Sequence, residues 1–158
     1  MRAKWPAGKV GGMNTRCLAS DHHEAGHAVV AHVLGLDVSS IDFVRMDASV
    51  TGEPRKLIAA AYAGREAHLR FAPDEEEFAT ANSENDLEFI KVIRKDHGIG
   101  EAECDVLRQE AKDLVHQHWH AIEGIVAEVT ARGGRVDNLL SQQLLAEATG
   151  FQGTNEWS

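Results

Sequence analysis

The densest chemistry in the chain sits in five consecutive residues, His23-Glu24-Ala25-Gly26-His27, an HExxH pattern. Residues four apart share one face of a helix, so His23 and His27 can ligate one ion from a single turn. Neutral imidazole nitrogen suits Zn²⁺, and Glu24 can reach a metal-bound water without entering the coordination sphere. Zinc lowers that water's pKa towards roughly 7, and Glu24 can take its proton as it attacks a carbonyl. This is metallopeptidase chemistry. With nine histidines in 158 residues, accident would supply roughly 0.05 such motifs, so the pattern carries weight. The competing role is a capping box, Asp21-x-x-Glu24, in which Glu24 would only satisfy a helix N-terminus.

A catalytic zinc site wants three protein ligands and one open position. Spacing alone leaves the third ligand open among Glu66, His68, Glu84, Asp86, Glu88 and His97. Asp86 has a competing role of its own in a second capping box, Ser83-x-x-Asp86.

These residues need elements to hold them. Ser20 or Asp21 is a fitting N-cap for a helix that carries the HExxH and ends at Gly35. Ala25, Val29, Val33 and Leu36 recur on its apolar face. Residues 41–46 alternate as a short strand, with 49–51 as its hairpin partner. Pro54 suits the first turn of a second helix reaching about Phe71, whose small residues 59–67 favour close packing. Residues 73–81 are acidic and read as irregular. Ser83 opens a third helix closed by Gly98. Residues 101 to about 132 read as one long helix, with Val106, Leu107, Leu114, Ile122, Ile125 and Val129 as core positions. Gly133 and Gly134 stop it, and Asp137 or Asn138 caps a last helix through Leu145. The expected fold is mainly α with one small β element. Residues 1–19 are expected to be a flexible leader, 20–146 the single domain, and 147–158 a C-terminal tail, frayed from Gly150.

Composition narrows the function classes. The net charge is 16 − 25 = −9, which repels phosphate backbones and disfavours nucleic-acid binding. No apolar run is long enough to cross a membrane. Two cysteines, Cys17 and Cys104, cannot build a disulfide framework, and no export signal is evident, so a cytoplasmic setting is expected. His116, His118 and His120 in HQHWH include an i,i+4 pair, but a polar helix face is the expected role rather than a second metal. The same holds for the acidic cluster 74–77, expected as a solvated loop. Trp119 is expected to pack, and Glu66 either supports a ligating histidine or lies on the surface.

Three motifs in order carry a family resemblance: HEAGHAVV at residues 23–30, AGREA at 63–67 and NDLE at 85–88. Together they resemble the peptidase domain of the FtsH-type ATP-dependent zinc metalloproteases, the M41 peptidases, over roughly residues 20–146. The resemblance implies a zincin-like helical metallopeptidase fold with His23, His27 and Asp86 as zinc ligands and Glu24 as catalytic base. It also implies a polypeptide substrate and a ring-forming homo-oligomer. That family fuses its peptidase to an AAA unfoldase; this sequence contains no GxxxxGK[ST] phosphate loop, so any unfoldase is expected to be a separate partner. The chain departs from the family pattern at Ala81–Glu84 and at Ile90-Lys91, and it is shorter between His27 and Gly64. Those departures motivate the alternative of a non-catalytic binding or regulatory module that keeps the fold.

Overall fold

The computed structural model describes residues 2–4 and 18–150. It is mainly helical. In chain order the elements are β1 (Arg2–Lys4), α1 (Leu18–Val33), β2 (Asp37–Asp42), β3 (Asp47–Thr51), α2 (Pro54–Phe71), α3 (Glu76–Asn82) and α4 (Glu84–His97). There follow α5 (Glu101–Gln117), α6 (Trp119–Ala131), β4 (Arg135–Asp137) and α7 (Asn138–Thr149). The strands form a small antiparallel sheet in the order β1-β3-β2-β4.

Helix α1 is the axis of the fold. Every residue from Ala19 to His32 is buried, because α2, α6, α7 and the hairpin all pack on it. The apolar face expected from Ala25 and Val29 is therefore only one side of a helix enclosed all round. The α1–α2 contact is close because its residues are small. A Cβ on Gly26 would lie 2.6 Å from Cβ of Ala67 and 2.9 Å from the carbonyl oxygen of Ala63. The small residues of α2 are buried as expected, from Leu57 through Gly64.

Helix α2 begins as anticipated, with Pro54 in its first turn and the Glu53 carboxylate accepting from the amides of Arg55 and Lys56. The hairpin is present, but its first strand runs four residues earlier than residues 41–46 because 43–46 form the turn. Asp42 holds that turn by accepting from the amides of Val44 and Arg45, both at 2.9 Å.

Several expectations are corrected. The stretch 101–132 is two helices broken at His118, since α5 lies along α2 while α6 lies along α1. One straight helix cannot cover both. Val106 is exposed at 66%, because α5 turns Cys104, Leu107, Ala111 and Val115 inward instead. Residues 76–81 of the stretch read as irregular belong to α3, with Glu76 and Glu77 in its first turn, where acidic side chains suit the helix dipole. Strand β4 was not anticipated; it pairs with β2 after Gly133 and Gly134, both at positive φ, reverse the chain. Helix α7 continues past Leu145 to Thr149, closed by Gly150 in the left-handed conformation. Within the expected leader, Arg2–Lys4 pairs with β3 and α1 starts at Leu18. The rest of that leader, Cys17 included, and residues 151–158 of the expected tail lie outside the described residues. No described helix is long and apolar enough to cross a membrane.

Candidate metal centre

The start of α1 at Leu18 decides between the two roles considered for Glu24. Asp21 lies inside the first turn rather than at the cap, so the Asp21-x-x-Glu24 capping box does not form. Glu24 instead points inward, 1% exposed, and both of its carboxylate oxygens are buried without a hydrogen-bond partner. Burial pushes its carboxyl pKa well up, only partly countered by His27.

One turn apart on the same helix, His23 and His27 bring their Nε2 atoms to 3.0 Å of each other. Asp86 reaches both from the first turn of α4, its Oδ2 lying 3.0 Å from Nε2 of His23 and 3.2 Å from Nε2 of His27. The Ser83-x-x-Asp86 capping box is absent as well. The Ser83 hydroxyl donates back to the carbonyl of Ala79 at 2.8 Å and makes no bond to the α4 N-terminus, which frees Asp86 to face α1. Two buried contacts fix the arrangement. Nδ1–H of His27 donates to the carbonyl of Ala60 at 2.7 Å, which orients the ring and leaves Nε2 for a ligand. The Asn82 amide donates to the hydroxyl of Ser20 at 3.3 Å, tying the turn before α4 to α1.

The three side chains fit a metal ion. All are buried, and their ligand atoms form a triangle with sides of 3.0–3.2 Å. Nitrogen and oxygen ligands about 2.0–2.2 Å from a tetrahedral ion stand about 3.3–3.5 Å apart, so a shift of a few tenths of an ångström seats one. Above the triangle lies Gly64, where a Cβ would be 2.5 Å from Nε2 of His27 and 2.7 Å from Nε2 of His23. A side chain there would fill the space an ion needs. Glycine in the middle of a helix costs roughly 0.5–1 kcal/mol relative to alanine, and here the close approach of the imidazoles requires it.

The electrostatics are those of an ion pair poised for metal. Burial alone would lower the pKa of His27, but the Asp86 carboxylate outweighs it and lifts the imidazole to about 9. Burial likewise pushes Asp86 up, yet His27 and the hydrogen bonds from both imidazoles bring it down to about 2. Burial holds His23 below its ordinary value against the pull of Asp86.

Among the residues weighed as third ligand, only Asp86 joins the histidine pair. Glu66 is half-buried and faces Arg65 at 3.8 Å. Glu88 pairs with Lys91 on the surface, and Glu84 and His97 are exposed. His68 is wholly buried, but its Nε2 faces Glu75 at 3.0 Å. The HQHWH histidines do not form a site. The break at His118 separates His116, which contacts Arg70, from His120, which lies 3.5 Å from Glu123 and is fully exposed.

Sequence reasoning missed Gly64, the Ala60 carbonyl and the Ser20–Asn82 tie. A glycine inside an otherwise strong helix-forming run was the available signal for the first. It also missed that His22 stacks on Phe71 at 4.1 Å and Trp119 at 5.5 Å, joining α1, α2 and α6 beside the motif. Neither a scan against protein-family models nor a search of curated proteins finds a match for this chain.

Proposed function

We propose that this chain is a zinc metallopeptidase with a zincin-like fold, of the FtsH-type (M41) kind its three motifs resemble. It hydrolyses peptide bonds in unfolded or flexible polypeptides, delivered free or by a separate unfoldase. The observation that carries the reading is Glu24: a buried carboxylate beside a two-histidine, one-aspartate cluster, with neither oxygen hydrogen-bonded. A capping or purely structural glutamate would have partners.

His23, His27 and Asp86 would hold Zn²⁺, whose chemistry there is to polarise a carbonyl and acidify a water. The chain's own part is proton transfer and orientation. Glu24 accepts a proton as the water oxygen bonds to the scissile carbonyl carbon, then gives it to the amine nitrogen as the C–N bond breaks. Its raised pKa suits that work, because a group that stays ionised at all times cannot return the proton. Ala60 keeps His27 in one orientation throughout.

A second reading is a non-catalytic module that keeps the metal for structure or regulation. The burial of His23, His27, Glu24 and Asp86, all between 0 and 3% exposed, favours it. Substitution of Glu24 by Gln separates the two. A peptidase variant of this kind keeps stoichiometric zinc and loses cleavage of a denatured protein. Parent protein that holds zinc and cleaves no unfolded substrate establishes the second reading.

A further inference from the structure

His68 was weighed as a ligand and is not one, yet its surroundings are those of a working residue. It is a fully buried imidazole on α2, with its ring centroid 6.5 Å from that of His23 and the two planes near perpendicular at 84°. Its Nε2 lies 3.0 Å from Oε2 of Glu75, just before α3, and Phe78 packs an edge against the ring at 5.3 Å. Among the described residues, only Glu24, His23 and His68 have buried side-chain polar atoms without a hydrogen-bond partner, and in both histidines the atom is Nδ1.

Tautomer chemistry makes those two nitrogens complementary. A histidine that ligates a metal through Nε2 carries its proton on Nδ1, so His23 presents a donor. The Glu75 carboxylate accepts from Nε2–H of His68, which leaves Nδ1 of His68 a bare acceptor. Ligating histidines give their other N–H to an acceptor as a rule. His27 has the Ala60 carbonyl; Nδ1 of His23 is buried without a hydrogen-bond partner, with His68 beside the ring. The ring centroids stand 6.5 Å apart and the two Nδ1 atoms make no direct hydrogen bond, so a link between them calls for a bridging water.

We propose that His68, with its tautomer set by Glu75, is the positioning residue for His23: it accepts the Nδ1–H of His23 through one bridging water when metal is bound. The link would run from the partly exposed Glu75 through His68 and His23 to the ion. It rests on the metal centre proposed above but not on peptidase activity.

The test is zinc affinity, measured by competition with a chromophoric chelator, together with the imidazole N–H protons of ¹⁵N-labelled, zinc-loaded protein. His68→Leu preserves an apolar ring-sized volume without an acceptor; His68→Gln restores one. Glu75→Gln changes a half-exposed side chain and leaves the core intact. His68→Leu is expected to weaken zinc about 10- to 100-fold and to remove one of two slowly exchanging imidazole N–H signals, that of His23. The His27 signal stays. Glu75→Gln weakens zinc in the same direction, and His68→Gln recovers most of the affinity and the second signal. Equal affinity in parent and His68→Leu, with both signals retained, overturns this proposal alone. Failure of the parent to bind zinc overturns the metal centre and this proposal together.

Discussion

Gly64 and His27 approach so closely that a single methyl group cannot fit between them: a Cβ on Gly64 would stand 2.5 Å from Nε2 of His27. The same methyl would be 2.7 Å from Nε2 of His23, and so would occupy the place of the ion. Gly64→Ala is expected to abolish metal uptake, with affinity falling at least about 100-fold. The chain should still fold, since alanine favours a helix over glycine by up to about 1 kcal/mol and offsets part of the clash. Metal content after purification and chelator competition measure the effect. Parent-like affinity in this variant would mean the ion sits elsewhere.

Asp86 contributes to the metal-free protein as well. With Asp86→Ala, metal binding is lost and His27 is left buried without its carboxylate. Deprotonation of His27 limits the damage, so the metal-free variant should lose about 2–3 kcal/mol in urea unfolding at neutral pH. Asp86→Asn keeps a hydrogen-bonding group and is expected to lose metal with a smaller drop in stability. A variant series in which metal affinity and stability fall in strict proportion would argue against this separation.

The pH dependence has a defined sign. Metal-free His27 titrates near 9, above its ordinary 6.5, so it is protonated at pH 7 and must release a proton to ligate. Apparent metal affinity should rise about tenfold per pH unit from 7 towards 9 and then level off. Calorimetry in two buffers of different ionisation enthalpy should report about one proton released per metal at pH 7. Stability follows the same linkage. The raised pKa of His27 stabilises the metal-free fold fully below pH 6.5 and is lost as pH rises through about 9. The lowered pKa of Asp86 contributes above its ordinary 3.8 and is lost as pH falls through about 2. Metal-loaded protein should not show the alkaline loss, because its His27 is already deprotonated.

What could be read before the structure divides along the range of the interactions. His23 and His27 share a face because helix geometry alone puts them there, so the pair was legible from spacing. Asp86 lies 63 residues from His23, and no local rule picks it over His68 or Glu84; the order of three motifs did. Gly64 was visible as part of a small-residue run, but which glycine faces the imidazoles depends on how α2 is rotated against α1. The break at His118 was hidden because apolar spacing continues across it, while the reason for it, α5 on α2 and α6 on α1, is tertiary. Strand β4 spans only Arg135–Asp137, too few residues to show alternation.

One metal per chain is expected. His116 and His120 lie on different helices, the first against Arg70 and the second beside Glu123. His120→Ala and His116→Ala should leave stoichiometry and affinity unchanged within error. A second equivalent of zinc that disappears in either variant would place a site on HQHWH after all.

The clearest thermodynamic signature of a functional residue should come from Glu24. Both of its oxygens are buried without partners, and burial raises its pKa well above the ordinary carboxyl range. Burial disfavours its charged form by more than the attraction of His27 favours it, so replacing the carboxyl forfeits little net stabilisation. An unsatisfied buried polar group costs roughly 1–3 kcal/mol. Glu24→Met keeps a similar volume, removes that cost, and should stabilise the metal-free protein by about 1–3 kcal/mol. For a chain of this size that is a rise of very roughly 2–10 °C in melting temperature. Glu24→Gln, still polar and still unpartnered, should gain much less. Urea unfolding of the chelator-treated parent and both variants measures the difference. If Glu24→Met is instead less stable than the parent, the carboxyl is satisfied in the folded state, and its freedom to carry a proton goes with it.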